Sequence, residues 1–243
     1  MAPRSNKPNI YSVERELMTT GLCNGGILLV RNRETGKKLI EKKIEGDAVR
    51  AARATDEIEI LKQLRNGRYI TELISSYIDS DLRYASLWLE YCELGNLDDL
   101  IRRHAPERDP VPDNILLTGS RDNPDVRLAD FGCAVGGPLG DLRSVESALR
   151  RGHPEFLPPE DPNFSELSDV YQLGLTILCL ATLQRFPDRI YEPRGYSERI
   201  LNVLAECMES DPRDRPGSDA LPDKLHRQRR KVEPLPGGRL HIR

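Results

Sequence analysis

The sequence lacks the features that would mark a secreted, membrane-spanning or zinc-binding protein. Its five cysteines lie far apart with no C-x-x-C pair, so neither a disulfide framework nor a zinc site is indicated. No apolar run approaches the roughly 20 residues that a membrane-spanning helix needs. The first residues, MAPRSNKPNIYSVERE, lack the apolar core of a secretory signal. We therefore expect an intracellular protein, cytoplasmic or nuclear, in a reducing compartment.

The charge balance limits the possible partners. The formal net charge is −3, an imbalance too small to favour nucleic acid or a membrane surface as the main partner. The chain has 243 residues, enough for one large domain or two small lobes, and it contains no internal repeat. We therefore expect a soluble chain whose main partner is neither nucleic acid nor a membrane, with its oligomeric state left open.

Residues 109–132, DPVPDNILLTGSRDNPDVRLADFG, combine polar oxygen ligands with two short apolar runs. The runs, 115–117 and 126–129, are separated by a polar turn, and this pattern predicts a strand, a tight turn and a second strand. In such a hairpin Asn114 and Asp130 lie at the same end. Mg²⁺ prefers oxygen ligands of this kind, together with phosphate oxygens. The stretch therefore predicts a magnesium site, and an acidic surface hairpin is the alternative.

The same stretch resembles the catalytic centre of eukaryotic-type protein kinases. ERDPVPDNILL, residues 107–117, aligns without a gap with the family pattern H-R-D-L-K-P-x-N-I-L-L, and ADFG, residues 129–132, follows at a family-like spacing. The resemblance implies that Asp109 is the catalytic base facing the substrate hydroxyl. It also implies that Asn114 and Asp130 hold Mg²⁺ and that the cofactors are ATP and Mg²⁺.

Three departures from the family pattern surround the implied catalytic base. Glu107 replaces the family histidine, and Val111 replaces a lysine that helps to neutralise the transferred phosphoryl group. Only six residues, 102–107, precede this loop where a kinase has a long helix. A helix of about 20 residues covers ~30 Å, whereas six or seven extended residues reach at most ~25 Å. The chain is then a shortened kinase relative, a pseudokinase, or a splice or gene-model form that omits the helix.

Two short apolar runs near the N-terminus predict another pair of strands. Residues 27–30 and 39–44 flank a Glu-Thr-Gly turn at 34–36. The pair resembles the first hairpin of the kinase N-lobe, in which a glycine-rich loop covers ATP. By this resemblance Gly25 is the last glycine of the loop, and Ile27 also belongs to the nucleotide site.

A lysine on the second of these strands and a glutamate on the next helix form a pair in the family, and the lysine grips the phosphates of ATP. Lys42 aligns with that lysine, although the apolar spacing leaves open whether Lys42 or Lys43 points inward. Residues 47–64 have the apolar periodicity of a helix. Within it Glu57 fits the paired glutamate better than Glu59 does.

The segment that follows resembles the kinase hinge. Residues 69–77 and 86–91 predict two more strands, and SLWLEYCELGNLDDLI covers the second strand and the helix after it. The resemblance implies that Glu90 and Cys92 belong to the segment whose backbone groups contact adenine. Asn96 is placed to cap the helix that begins after it.

Three later motifs resemble landmarks of the kinase C-lobe. GHPEFLPPE at 152–160 resembles the end of the activation segment, SDVYQLG at 168–174 resembles the start of a buried central helix, and DPRDRP at 211–216 resembles the final helices. The resemblance implies a buried ion pair between Glu160 and Arg215.

Taken together, the ordered motifs predict an α+β, two-lobed protein kinase-like fold. The predicted N-lobe is a small antiparallel sheet with one helix, and the predicted C-lobe is mainly helical. The expected divisions are a flexible N-terminus at 1–16, a kinase-like domain at 17–225 with lobes 17–91 and 92–225, and a basic tail at 226–243.

The function implied by the resemblance is ATP-dependent transfer of the γ-phosphoryl group to a serine or threonine hydroxyl of a protein. The alternatives are a pseudokinase or interaction module with weak or no turnover, and a truncated form of an active kinase. A small-molecule phosphotransferase is less favoured, because residues 152–160 resemble a segment that holds a protein substrate.

Overall fold

The computed structural model describes most of the chain as strands, helices and short connections. Its elements form two compact units. The first contains the N-terminal sheet, one helix and a later hairpin, and the second is mainly helical. The α+β class predicted from the sequence is therefore confirmed. The described residues are 9–18, 25–45, 48–79, 84–104, 114–134, 143–144, 156–182 and 198–229.

The first unit is built on an antiparallel sheet of five strands in the order β1-β2-β3-β5-β4. Helix α1 spans Ala48–Gln63 and lies in sequence between β3 and β4. The strands are β1 (Tyr11–Met18), β2 (Gly26–Asn32), β3 (Lys38–Glu45), β4 (Leu73–Ile78) and β5 (Tyr84–Glu90).

Alternation along β3 gives the sheet two apolar faces, because successive side chains of a strand point to opposite sides. On one face Ile44 packs with Ile58 and Leu61 of α1 and with Leu87 of β5. This cluster forms the main core of the first unit. It also determines that Lys42, two residues before Ile44, faces α1.

A second apolar cluster lies on the opposite face of the sheet, and the Tyr11 side chain of β1 packs against it. Trp88 is fully buried there together with Val30 and Leu39, and the ring of Tyr11 stacks on the indole with centroids 4.6 Å apart. Residues 11–16, which the sequence assigned to a flexible N-terminus, belong to strand β1. The sequence signal was weak because most β1 side chains after Tyr11 are exposed.

Strand β1 lies at the edge of the sheet, and its pairing with β2 is irregular. The register shifts between Val13 and Arg15 and again between Glu16 and Met18. Such shifts bend an edge strand and increase its twist.

The predicted hairpin is present in the first unit. Strand β6 (Gly95–Asn96) is followed later by β7 (Ile115–Ser120) and β8 (Asn123–Leu128), and β7 and β8 pair antiparallel. The backbone N–H of Leu128 donates to the Tyr69 carbonyl at 2.7 Å. The hairpin is thereby attached to the segment that leads into β4.

The second unit consists mainly of helices around a buried α3. On α3, Gly174 allows a close approach, because a Cβ added there would lie 2.8 Å from the Cβ of Cys207 on α4. The elements of this unit are α2 (Leu97–His104), β9 (Arg143–Ser144), β10 (Asn163–Phe164), α3 (Glu166–Thr182), α4 (Glu198–Cys207), a 3-10 helix (Pro212–Asp214) and α5 (Leu221–Arg229).

Both ends of the second unit bear on predictions made from the sequence. The side chain of Asn96 accepts a hydrogen bond from the Asp99 N–H at 2.7 Å, which confirms the predicted cap of α2. Helix α5 continues to Arg229, so the first residues of the predicted tail are helical, whereas 230–243 lie outside the described residues.

Within the described part of the chain, every helix is too short or too polar to cross a membrane.

Candidate active site

Lys42 joins two carboxylates in a cluster formed by three elements of the first unit. Its Nζ donates to both carboxylate oxygens of Glu57, at 2.8 and 2.9 Å, and to Oδ1 of Asp130 at 2.7 Å. The side chains of Lys42 and Glu57 are 5% and 2% exposed, whereas that of Asp130 is 38% exposed. The cluster is therefore buried on the side of α1 and open at Asp130.

The strand and helix patterns explain why these residues meet. Lys42 shares the α1 face of β3 with Ile44, which settles the choice between the two lysines that the sequence left open. Glu57 is buried on α1, whereas Glu59 is exposed and pairs only with its helix neighbour Lys62 among the described residues. The Lys42–Glu57 ion pair implied by the resemblance is present.

The backbone after β8 is shaped to hold Asp130 in place. Asp130 has a φ of 60°, in the left-handed region that non-glycine residues seldom occupy. The N–H of Gly132 donates to Asp130 Oδ1 at 3.2 Å. A Cβ at Gly132 would lie 3.2 Å from both Asp130 Oδ1 and Glu57 Oε2, so this position leaves little space for a side chain.

The electrostatics of the cluster keep Lys42 charged. Burial by itself lowers the pKa of Lys42, but the charges of Glu57 and Asp130 and the hydrogen bonds to both outweigh it. The pKa of Lys42 therefore lies above its ordinary value. Two carboxylates facing one ammonium leave the cluster with a net negative charge, which favours a further cation at its exposed side.

Asn114 lies at the same end of the hairpin as Asp130. Its carbonyl accepts a hydrogen bond from the Ala129 N–H at 2.9 Å, one residue before Asp130, and Asn114 is exposed. Within the described ranges, no group of three or more His, Cys, Asp or Glu could hold a metal ion. An amide, a carboxylate and phosphate oxygens remain a suitable ligand set for Mg²⁺. Asp109, the predicted base, lies outside the described residues.

The predicted loop glycine and Ile27 lie beside the lysine strand. Ile27 is the register partner of Lys42, so the two side chains project from the same face of the sheet. The N–H of Gly25 donates to the Lys43 carbonyl at 2.6 Å. The position of both residues is consistent with a site that includes Lys42, and residues 19–24 of the predicted loop are outside the described part.

The predicted hinge residues, Glu90 and Cys92, lie at and just after the end of β5. The N–H of Glu90 donates to the Glu72 carbonyl at 3.0 Å, so an adenine contact at Glu90 would use its carbonyl oxygen. Cys92 is buried, and burial, with a smaller contribution from the charge of Glu90, raises the pKa of its thiol to about 12. The thiol of Cys92 is thus neutral and packed in the interior.

Comparison with characterised proteins places these observations in context. No protein-family model matches the chain. The chain is 25% identical over 235 residues to the probable serine/threonine-protein kinase zyg-1 of Caenorhabditis elegans. It is 26% identical over 179 residues to the probable serine/threonine-protein kinase WNK6 of Oryza sativa subsp. japonica, and 26% identical over 213 residues to the serine/threonine-protein kinase KIC1 of Saccharomyces cerevisiae.

The chain contains a protein kinase-like domain. The three matches cover 84%, 61% and 68% of this chain, so each extends over more than half of its length. The same matches cover 32%, 39% and 19% of the relatives. The kinase-like chain thus spans about a third of the length of the first two relatives and less of the third.

The kinase-like domain contains the second ion pair implied by the resemblance. Arg215 donates from its two terminal nitrogens to the two carboxylate oxygens of Glu160, at 2.8 and 2.7 Å. The Ser168 hydroxyl also donates to Glu160, at 2.7 Å. The predicted pair is therefore confirmed within the second unit.

Sequence reasoning missed several polar residues of the first unit that make specific side-chain contacts. Glu93 and Arg127 both form side-chain contacts between the hinge and the β7–β8 hairpin. Glu41 is buried on the sheet face opposite α1, where the Ser86 hydroxyl donates to it at 2.7 Å. No motif predicts these contacts, because they depend on strand register, which decides the side chains that face one another on neighbouring segments.

Proposed function

We propose that the protein is an ATP-dependent protein kinase that transfers the γ-phosphoryl group to a serine or threonine hydroxyl. The observation that supports this most directly is the cluster of Lys42, Glu57 and Asp130. Glu57 lies 15 positions and Asp130 lies 88 positions after Lys42 in the sequence, yet the ammonium group of Lys42 contacts both carboxylates. The relatives that share the domain are named serine/threonine-protein kinases.

Lys42 would bind phosphate oxygens by exchanging one of its contacts. An ammonium group has three N–H donors, and Lys42 makes three short contacts to Glu57 and Asp130. Glu57 is buried and would keep its hold on Lys42. Asp130 is more exposed, so the hydrogen bond between Lys42 and Asp130 is the one that would be exchanged. Lys42 would then donate to a phosphate oxygen, and the Asp130 carboxylate would bind a metal cation instead.

Asn114 and Asp130 would hold Mg²⁺ at the open end of the hairpin. Bound there, Mg²⁺ would offset the negative charge of the phosphates. Gly25 and Ile27 would line the nucleotide site, and the backbone at Glu90 and Cys92 would contact adenine. These residues would therefore orient ATP from its base to its phosphates.

Asp109 would act as the base that accepts the proton of the substrate hydroxyl. Its assignment rests on the alignment of ERDPVPDNILL with the kinase catalytic loop. Phosphoryl transfer depends on placing the reacting groups to about an ångström.

Ligand-dependent thermal unfolding tests the nucleotide site. Mg²⁺-ATP at about 100 times its dissociation constant should stabilise the wild type by ~2.7 kcal/mol and raise its midpoint by several degrees. Asp130→Asn should lose most of this shift, whereas Lys62→Met, which removes a lysine from an exposed pair, should keep it. An unshifted wild type would contradict nucleotide binding.

Turnover is tested separately with a radiolabelled phosphate donor and a panel of serine- and threonine-containing peptides and proteins. The wild type should transfer phosphate, and Asp109→Asn should still bind Mg²⁺-ATP while losing transfer. Equal transfer by the two proteins would remove Asp109 from the proposed mechanism.

A pseudokinase is the second candidate, and specific sequence differences favour it. Glu107, Val111 and the six-residue connection at 102–107 depart from the kinase pattern next to the implied base. On this alternative the domain would bind nucleotide weakly or not at all and act through its surface. A cooperative unfolding transition without a shift in Mg²⁺-ATP and without transfer would support it.

A further inference from the structure

Charged side chains connect the hinge to the β7–β8 hairpin at two places. At the first, Oε1 of Glu90 accepts hydrogen bonds from Arg127 Nε at 3.1 Å and from the Glu72 N–H at 3.0 Å. The side chains of Glu90 and Arg127 are only 18% and 21% exposed. This ion pair is therefore shielded enough to restrict movement between the end of β5 and β8.

The second connection lies near the turn of the hairpin. The carboxylate of Glu93 accepts from the Thr118 hydroxyl and from the Gly119 N–H, both at 2.9 Å. Burial raises the pKa of Glu93, but the hydrogen bonds that it accepts outweigh this effect and hold the pKa below its ordinary value. The Leu94 N–H also donates to the Leu117 carbonyl at 3.1 Å.

These contacts link the two ends of the proposed nucleotide site. Glu90 belongs to the segment expected to contact adenine, and Arg127 is three residues before Asp130 on the chain. A nucleotide must reach the hinge with its base and Asp130 with its metal-bound phosphates. Its affinity for both ends together depends on how firmly the distance between them is held.

We propose that Glu90 and Glu93 are positioning residues that hold the β7–β8 hairpin in register with the hinge, so that one nucleotide can bind at both. The inference rests on the proposed nucleotide-binding function and adds a role for the side chains of Glu90 and Glu93, whereas the resemblance implies only backbone contacts in this segment. A purely structural role would weaken all ligands alike. A positioning role weakens ligands that span the site and spares those that touch only the hinge.

Glu90→Gln tests this distinction, with adenosine and Mg²⁺-ATP as the two probes in titration calorimetry on the full chain. Glutamine keeps an acceptor for the Glu72 N–H and removes the charge that faces Arg127. We expect the affinity for adenosine to stay within about twofold and that for Mg²⁺-ATP to fall about tenfold, the size of effect expected when two coupled contacts are separated. Glu59→Gln, which breaks an exposed pair on α1, is the matched control and should change neither.

Two further variants keep the test decisive if Glu90→Gln does not fold. Arg127→Gln and Glu93→Gln should each give the same selective loss of Mg²⁺-ATP affinity. The double variant Glu90→Gln/Arg127→Gln should lose no more affinity for Mg²⁺-ATP than the more affected of the two single variants, because each single substitution removes the same ion pair. Arg127→Lys should recover part of the affinity for Mg²⁺-ATP.

The outcomes separate this inference from the function on which it rests. A wild type that binds neither adenosine nor Mg²⁺-ATP overturns both. A wild type that binds both, with hinge variants that weaken the two ligands equally or leave both unchanged, overturns only the positioning role.

Discussion

Each compact unit of the kinase-like domain contains a buried ion-pair cluster among its described residues, and the two clusters are built differently. In the first, Lys42 divides its three donors between Glu57 and Asp130, and Asp130 is 38% exposed. In the second, Arg215 and Glu160 are 0% and 9% exposed and meet through two parallel hydrogen bonds. One cluster is therefore open to solvent on one side, and the other is closed.

The remaining contacts of Arg215 complete the closed arrangement. Its guanidinium also donates to the carbonyl oxygens of Glu209 and Leu167, at 2.8 and 2.9 Å, and lies 4.9 Å from the ring centre of Tyr171. A guanidinium is a planar, fixed set of donors, whereas an ammonium is a compact charge on a flexible stem. The comparison teaches that an exchangeable cluster suits ligand binding and a satisfied one suits structural support.

Lys42→Met should give the largest effect, because it leaves Glu57 as a buried and uncompensated charge. We expect the free energy of unfolding to fall by about 3–5 kcal/mol and binding of Mg²⁺-ATP to be lost. Urea unfolding followed by circular dichroism measures the first effect, and calorimetry measures the second. Lys62→Met is the control, since its pair is 56% exposed on both sides and should change stability by less than about 0.5 kcal/mol. A similar small loss at Lys42 would contradict the importance of the cluster.

Arg215→Lys should give the next largest effect and tests whether the second cluster needs the geometry of the guanidinium. A lysine keeps the charge but cannot reproduce the parallel bonds to Glu160 and the bonds to both carbonyls. We expect a loss of about 2 kcal/mol in urea unfolding, with adenosine binding unchanged. The matched change Arg213→Lys, in an exposed pair with Asp211, should leave the unfolding midpoint where it is. Equal midpoints for the two variants would show that charge alone is sufficient at 215.

Gly132→Ala should disturb the first cluster without removing any of its charges. The new Cβ would lie 3.2 Å from Asp130 Oδ1 and Glu57 Oε2, so the carboxylates must shift by a few tenths of an ångström. We expect stability to fall by about 1 kcal/mol and the affinity for Mg²⁺-ATP to fall about tenfold. Gly36→Ala is the control: its φ of 70° makes alanine strained, but nothing lies within 4 Å of the added Cβ. Gly36→Ala should lose about as much stability as Gly132→Ala and should keep the wild-type affinity for Mg²⁺-ATP.

The pH dependence of unfolding should distinguish the second cluster by a smaller effect. Burial raises the pKa of Glu160, but hydrogen bonds from Arg215 and Ser168 and the charge of Arg215 outweigh it, so its pKa lies below the ordinary value of 4.5. A lowered pKa contributes stability that is present above pH 4.5 and is lost as the pH falls through the native-state pKa. Glu160→Gln should be less stable than the wild type at pH 7 but should lose less between pH 7 and pH 3. Parallel losses would contradict the linkage.

The regular elements of the first unit were largely predictable from the sequence. The hairpin at 115–128 and the helix ending near residue 63 follow from apolar periodicity and turn residues. The strand predicted at 69–77 in fact begins at Leu73, although Ile70 forms a parallel bridge with Leu128. Boundaries of this kind depend on tertiary pairing, which local propensity does not encode.

Prediction of the site depended on the family resemblance and stopped at side-chain direction. Apolar spacing did not distinguish Lys42 from Lys43, because both faces of β3 carry apolar residues: Ile40 and Ile44 alternate with Lys42, and Leu39 alternates with Lys43. The contact with Glu57 distinguishes them, and it requires the packing of α1 on the sheet. Glu93 and Arg127 were missed for the same reason, since each contacts a group that lies far away in sequence. The roles of Asp109, Asn114 and the other site residues remain predictions.

The irregular register of β1 affects how separate molecules meet. An edge strand presents backbone donors and acceptors in a row, and a regular row can pair with the edge of another molecule and begin an aggregate. The two register shifts interrupt that row, and Glu14, Arg15 and Glu16 add charges between them. An edge interrupted and charged in this way is a poor template for pairing with the edge of another copy.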